Sequence, residues 1–544
     1  MSIQKQTDSR TNITYVYETS YRWDKQKQQS RATRKCIGKI DPLTGNIVPT
    51  RGRKPNGEGV KHKSKTKSAE QTSFEISENV HLKRSFYGAT YLLESFSNEL
   101  GLTKDLQRCF PERYKQLLSI AFYLILEDNN PLYRFERWHL THKHPYDQNI
   151  SSAESSKLFA SIKESQIYQF FALQAKRRTE NEYWAYDSTS ISSYSETLTQ
   201  VQYGKNKEDD KLPQLNLLLV FGEKSHLPFY YRKLAGNIPD VKTVKHLLAE
   251  FDILNINKAK LIMDRGFYSQ ENINTLYREH RKFLIAPKMS LAFIKANLDP
   301  IYDDLRMFTN FDEESNTYGR CVSAEWDYSQ TRIYKKDTIK AKRRMYIHYY
   351  YNLDKGAEEE SAFDKRIAGL YKELKEGKQV EAHQKAYKQF FDVNVTPKRG
   401  ISISYKEDAI REARKYIGYF SLISNEKMTS MEALRLYRRK DVVEKAFGNL
   451  KERLNMRRML VSSERSLEGK LFAEFIALIL VSHLDNKMRT SQLYSKYSMP
   501  LLFDKLNIIE CFEYESNRLK VGELLDKQIE IYKDLGLAPP SSSC

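Results

Sequence analysis

The sequence predicts an α/β core, preceded by a helical region and a short N-terminal β segment and interrupted by an insertion. Three observations predict it. Between residues 183 and 286, short β-type runs alternate with amphipathic stretches of helical spacing. Ahead of them, apolar residues recur at helical spacing with no strand signal. Behind them, a polar, aromatic-rich segment separates the core from two further helical patterns.

At the N-terminus, residues 13–18 and 35–49 read as short strands, the second holding the turn signals Asp41-Pro42 and Thr44-Gly45-Asn46. Residues 51–67, RGRKPNGEGVKHKSKTK, offer no apolar face and read as a flexible basic linker, so residues 1–80 form a β segment plus linker. In the helical region, 81–180, Leu92, Leu93, Phe96, Leu100 and Leu102 and then Leu117, Leu118, Ala121, Phe122 and Leu124 keep helical spacing. His139, His142 and His144 lie close together there, but no carboxylate or cysteine accompanies them at metal-ligand spacing. They read as ordinary polar or core histidines.

The first part of the core, 181–300, begins with a strand at 183–187. Strands at 214–221 and 227–234 follow, then a helix at 241–251, a strand at 260–264, a helix at 270–280 and a strand at 283–286. Three strands in meander followed by helix, strand, helix, strand is the ribonuclease H-like α/β order. Residues 301–428 read as the insertion, with a β-type run at 343–353 and a helix at 362–376. A long helical pattern starts at Ser430, with Thr429 or Ser430 as its cap, and 471–484 is a strongly apolar helix. Residues 429–490 thus complete the core, and 491–544 form a mixed C-terminal region. The apolar runs at 117–126 and 471–484 are too short to span a bilayer.

The formal net charge is +19, and so basic a chain points to a polyanionic partner, nucleic acid first among them. Arg51-Gly52-Arg53 has the make-up of arms that enter a minor groove, beside the plainer reading of a solvated linker. Cys36, Cys109, Cys321, Cys511 and Cys544 are scattered and form no CxxC motif, which suits reduced thiols in a cytoplasm. The first ten residues carry no signal-peptide pattern.

Two carboxylates, Asp187 and Asp264, end strands, where side chains can share one crevice. Either one alone reads equally as a turn cap. On an ideal helix Tyr437, Lys440, Glu444 and Lys451 fall at about 0°, −60°, −20° and −40°, one narrow stripe, with Gly448 beside it at about +20°. One carboxylate, two lysines and a phenol suit a surface that holds a metal and the phosphates it acts on. A charged helix face with a Lys440–Glu444 pair is the alternative.

These residues resemble a known family. The spacing tyrosine, two residues, arginine, three residues, glutamate, six residues, lysine is the signature of bacterial insertion-sequence DDE transposases of the Tyr-Arg-Glu-Lys group. Tyr437, Lys440, Glu444 and Lys451 stand at those positions within YRRKDVVEKAFGNLK, with Lys440 in place of the arginine. YDSTSISSYSE at 186–196 resembles the family's first aspartate motif and LIMDRGFYS at 261–269 its second. Asn237 and Asp240 in AGNIPD also fit, as do IGYFSLISN at 417–425 and RRMLVSSERSLEGKLFAEFIALIL at 457–480, which follows the signature as in the family. A lysine keeps the charge at position 440 but loses the bidentate fork on phosphate.

The resemblance implies a ribonuclease H-like core split between the second aspartate and the glutamate. It implies that Asp187, Asp264 and Glu444 are catalytic and hold two Mg²⁺ ions, with Mn²⁺ as the alternative, Asp187 bridging. Tyr437, Lys440 and Lys451 would grip phosphates at the cut end. Double-stranded DNA, both transposon ends and target, is the implied partner, with a homodimer in the active complex, no membrane, and a bacterial cytoplasmic, nucleoid-associated location. Lying beside the basic linker and outside the carboxylate-bearing region, 81–180 is expected to bind the ends. Trp326 in the insertion is a candidate to stack on a base near the cut. The competing expectations are a ribonuclease H-like metal-dependent nuclease without strand joining, and an inactive DNA-binding derivative.

Overall fold

The computed structural model describes residues 2–7, 13–24, 29–41, 46–48, 83–127, 130–177, 182–195, 197–205, 207, 211–256, 259–332, 337–396, 400–454, 461, 463–514 and 518–541. Arg51 and Arg53 lie outside them. The chain divides into two units, Met1–Glu78 and Asn79–Cys544.

The first unit is an antiparallel meander of β1 (Ser2–Thr7), β2 (Thr14–Asp24), β3 (Gln29–Ile40) and β4 (Ile47–Val48). A bulge at Val16/Tyr17 interrupts the β2–β3 register, and among the described residues Val16 and Thr19 bury their side chains in this sheet. The two short strands expected at 13–18 and 35–49 are therefore parts of a larger sheet. β1, SIQKQT, was not expected, because it is almost wholly polar and its pairing with β2 is what makes it a strand.

The second unit opens with β5 (Lys83–Phe86) and six helices: α1 (Gly88–Glu99), α2 (Leu102–Cys109), α3 (Tyr114–Leu126), α4 (Phe135–His139), α5 (Ser152–Ser161) and α6 (Glu164–Lys176). Their apolar faces close on distant parts of the chain. α16 (Glu464–Thr490) packs against α3 and α5, with Phe472 between Phe110 and Phe170. β5 pairs with the late strand Glu510–Glu513, from Glu510↔Phe86 to Glu513↔Lys83. The three histidines are structural. His144 bonds His139 (2.9 Å) and Ser119 Oγ (2.9 Å), burial lowers its pKa to about 3, and His142 stacks on Trp138.

The central element is a nine-stranded sheet. Its first strands are β6 (Tyr183–Ser192), β7 (Gln214–Gly222) and β8 (Pro228–Ala235), an antiparallel meander. α7 (Thr243–Ile253) then leads to β9 (Lys260–Met263), and α8 (Gln270–Arg278) to β10 (Lys282–Ile285). β9 runs parallel to both β6 and β10, so these five strands lie in the order β8-β7-β6-β9-β10. Nearly every side chain of β6 and β7 is buried, as strands covered on both faces require.

Residues 301–428 extend the same sheet. After α9 (Ala292–Leu298), α10 (Tyr302–Leu305) and β11 (Phe311–Asp312) come β12 (Thr317–Arg332) and β13 (Asp337–Asn352), an antiparallel pair of sixteen-residue strands. β16 (Tyr419–Ser424) lies antiparallel between β13 and β10. Between β13 and β16, α11 (Leu353–Lys375), α12 (Gln384–Phe390), the hairpin β14 (Phe391–Thr396) and β15 (Gly400–Tyr405), and α13 (Glu407–Arg414) share a small core around Leu370, Leu374 and Phe390.

The helix expected from Ser430 forms in three pieces: α14 (Ser430–Arg438), α15 (Asp441–Gly448) and a π-helical turn, Asn449–Arg453. Thr429 caps it in a capping box with Glu432. At Arg439 and Lys440 the bonds shorten to i→i−3, Lys440 N to Tyr437 O and Val443 N to Lys440 O, which tightens and turns the chain. α14 packs on β12 and β13, and α15 packs on β6 and β7.

Candidate active site

β6 is the strand at which the sheet changes direction, with β7 antiparallel on one side and β9 parallel on the other. In such sheets a crevice opens beyond the strand ends at that point. The parallel register ends at Tyr186↔Met263. Asp187 and Asp264 are the next residues after that register, so neighbouring backbones about 4.8 Å apart place the two carboxylates side by side at that point. Asp187 Oδ1 accepts from the Ser188 N–H (2.8 Å). Burial pushes the Asp187 carboxyl above the usual carboxylate range and Asp264 adds to that, while Lys207, the Ser188 N–H and Lys440 oppose it.

Asp264 has the opposite balance. Burial would raise it, but the Arg265 N–H, the Tyr437 hydroxyl, Lys440 and Arg265 together hold it below the usual range. Tyr437 Oη donates to Asp264 Oδ1 at 2.8 Å. Contrary to the expected strand at 183–187, β6 runs on to Ser192 because β7 keeps pairing with it. Asp187 therefore lies in mid-strand, where only the β9 pairing has stopped. This carboxylate and the one just past β9 thus sit in different environments.

The turn between α14 and α15 sends Lys440 inward. Its side chain is 11% exposed, and its Nζ donates to Glu444 Oε1 at 2.7 Å. Burial disfavours the ammonium, but Glu444, Asp187 and Asp264 outweigh burial and hold it charged. Glu444 is 58% exposed and faces Lys440. Asp264, Tyr437, Lys440 and Glu444 all line one trough of about 900 Å³. Asp441 is exposed at the start of α15 and does not line it. Lys451 falls in the π-helical turn and is half-buried.

On the other side of Asp187 lies a network that the sequence reading did not assemble. Ser188 Oγ donates to Asp240 Oδ1 (2.6 Å). Lys207 Nζ donates to Ser188 O (2.8 Å) and Ser188 Oγ (2.6 Å) and lies 3.3 Å from Asp240 Oδ2. Asp240 stands just ahead of α7 and faces the turn after Asp264, since a Cβ on Gly266 would lie 3.5 Å from its Oδ2. Asp240 had a sequence signal in AGNIPD. Lys207 had none, standing in an irregular loop without period.

Trp326 lies elsewhere. It is 5% exposed, its indole N–H donates to Asn274 Oδ1 (2.8 Å), and Phe293 meets its ring edge-on. Stacking on a base would require it to leave this pocket. Among the described residues, no three His, Cys, Asp or Glu side chains gather as a ready-made metal site. No helix among them is long and apolar enough to cross a membrane.

Residues 184–480, more than half of the chain, match the family model described as "Transposase DDE domain". No curated protein matches. Among solved structures the chain is similar to one titled "Cryo-EM structure of piggyBac transposase synaptic complex with hairpin DNA", at 10% identity and a TM-score of 0.36, covering 77% of this chain and 77% of that one. A likeness that weak carries no inference.

Proposed function

The chain belongs to the transposase DDE domain family, and from that premise we propose that it binds the ends of an insertion sequence and cuts and joins DNA strands there. The observation that carries the proposal is the adjacency of Asp187 and Asp264 at the turning point of the sheet, with Glu444 and Asp264 in the wall of one trough and Asp187 beside it, coupled to Lys440. The five-strand order β8-β7-β6-β9-β10 supports a ribonuclease H-like core, into which residues 301–428 are inserted.

The oxygen donors suit Mg²⁺ or Mn²⁺. A carboxylate as buried as Asp187, next to a second one, favours a cation beside it. Asp187, Asp264 and Glu444 would hold two such ions, which when bound polarise the phosphate and activate a water or 3′-hydroxyl. The rest of the work falls to the protein. Tyr437 keeps the Asp264 carboxylate ionised and oriented. Lys440 neutralises the cluster and, with Tyr437 and Lys451, meets the phosphates of the cut end. Lys207 and Asp240 fix Ser188, and so the backbone N–H that Asp187 uses. The net charge of +19 suits a chain that works on DNA, as a homodimer on paired ends in the bacterial cytoplasm.

Strand transfer by the full-length protein tests this. The DNA flanking its own coding sequence, supplied as pre-cut ends with Mg²⁺, is expected to become joined to a target plasmid. Cleavage without joining would favour a nuclease. End binding with neither reaction would favour an inactive DNA-binding derivative.

A further inference from the structure

The trough that begins at Asp264 and Glu444 runs on between the β10–α9 connection and α11, away from the carboxylates. Its walls carry Arg265, Lys288, Lys355 and Arg438, all exposed. Among the described residues Arg265, Lys288 and Arg438 form no ion pair, and Lys355 reaches only its helix neighbour Glu359, at 3.7 Å. Glu359 lines the trough as well, but Arg265, Lys288 and Arg438 outnumber it, and unpaired cations along a concave surface concentrate positive potential there.

The floor is different in kind. Met289 and Phe420 are half-buried, Phe420 is backed by the stacked ring of Tyr350 (4.8 Å, 19°), and Lys355 Nζ lies 5.1 Å over its face. Basic walls over an apolar, aromatic floor are the make-up of a groove for an unpaired nucleic-acid strand, with phosphates at the walls and bases on the floor. A duplex offers its phosphates outside and its bases stacked within, and would leave that floor uncovered.

Resting on the transposase reading, we propose that this trough binds a single DNA strand continuing from the phosphate at the carboxylates, with Lys288 and Lys355 as its phosphate contacts. Neither lysine belongs to the carboxylate cluster, and both are solvent-facing, so their loss is compatible with folding.

The test is binding in EDTA, where no cleavage occurs, of a blunt duplex and of the same duplex with a short oligothymidine tail. The wild-type protein is expected to bind the tailed probe more tightly. The Lys288→Ala/Lys355→Ala variant, matched to wild type in melting temperature, is expected to lose that gain while keeping its blunt-duplex affinity. On the tailed probe its log–log salt slope should be shallower by about 1.4, two single-strand contacts at about 0.7 each. A blunt duplex that binds with no gain from the tail, or a variant that loses both probes equally, overturns the groove assignment alone. Failure of the wild type to bind either probe sinks the transposase reading with it.

Discussion

Tyr437 donates its hydroxyl proton to Asp264 Oδ1 across 2.8 Å, tying α14 to the end of β9 over a sequence gap of 173 residues. The bond holds the site together without any ligand and gives Asp264 its lowered pKa, together with the Arg265 N–H and Lys440 and against burial. A depressed carboxylate contributes stability that is present above its ordinary range and lost as pH falls through its folded-state pKa. Tyr437→Phe should therefore destabilise the protein at neutral pH by about 1.5–3 kcal/mol, the worth of a hydrogen bond to a charged group. The gap from wild type should close in acid. A deficit that is the same at every pH in thermal melts would assign the effect to packing instead.

Glu474 gives the opposite sign. It is buried in α16, burial raises its pKa to about 7 against the opposing Lys470, and its Oε2 has no hydrogen-bond partner among the described residues. A raised carboxylate contributes stability that is present below its ordinary range near 4.5 and lost as pH rises through about 7. Glu474→Gln cannot ionise. Its melting temperature should match wild type below about pH 4 and exceed it near about pH 8, by up to about 3 kcal/mol in stability. Parallel melting curves across that range would show that Glu474 stays solvated.

The docking of α16 on α5 is tight at Gly469, where an added Cβ would strike the Phe159 backbone. Backbone cannot give way as a flexible side chain does. Gly469→Ala should cost about 1–3 kcal/mol by overpacking, despite the better helix propensity of alanine. A variant as stable as wild type in denaturant titration would contradict this packing. The same contact, with the β5–Glu510–Glu513 pairing, bears on the helical region: residues 88–176 share one core with α16, so an isolated 1–180 fragment would expose apolar surface.

How far the sequence could be read follows the range of the interactions. The strands and helices from Tyr183 to Ile285 were legible in order, because each has its own period and turn signal. The capping box at Thr429 was legible for the same reason. The joining of β12, β13 and β16 to that sheet was not, since pairings such as Tyr346↔Ser424 leave no local trace. The break at Arg439 and Lys440 was also hidden, with no proline or glycine to mark it. An ideal helix gathers Tyr437, Lys440, Glu444 and Lys451 into one stripe. The tightened turn instead aims Lys440 at the carboxylates and leaves Glu444 facing Lys440.

The central claim is that Asp187, Asp264 and Glu444, and no neighbouring acid, carry the chemistry. Its most direct test is Mg²⁺-dependent end cleavage and joining by Asp187→Asn, Asp264→Asn, Glu444→Gln and Asp441→Asn, each checked for folding and end binding. The first three substitutions keep shape but remove the charge that would hold a cation, whereas Asp441 is exposed and is not among the acids that act on Lys440. The expected result is that those three abolish both reactions with end binding near normal, while Asp441→Asn keeps most activity. An active Glu444→Gln beside a dead Asp441→Asn would contradict the assignment.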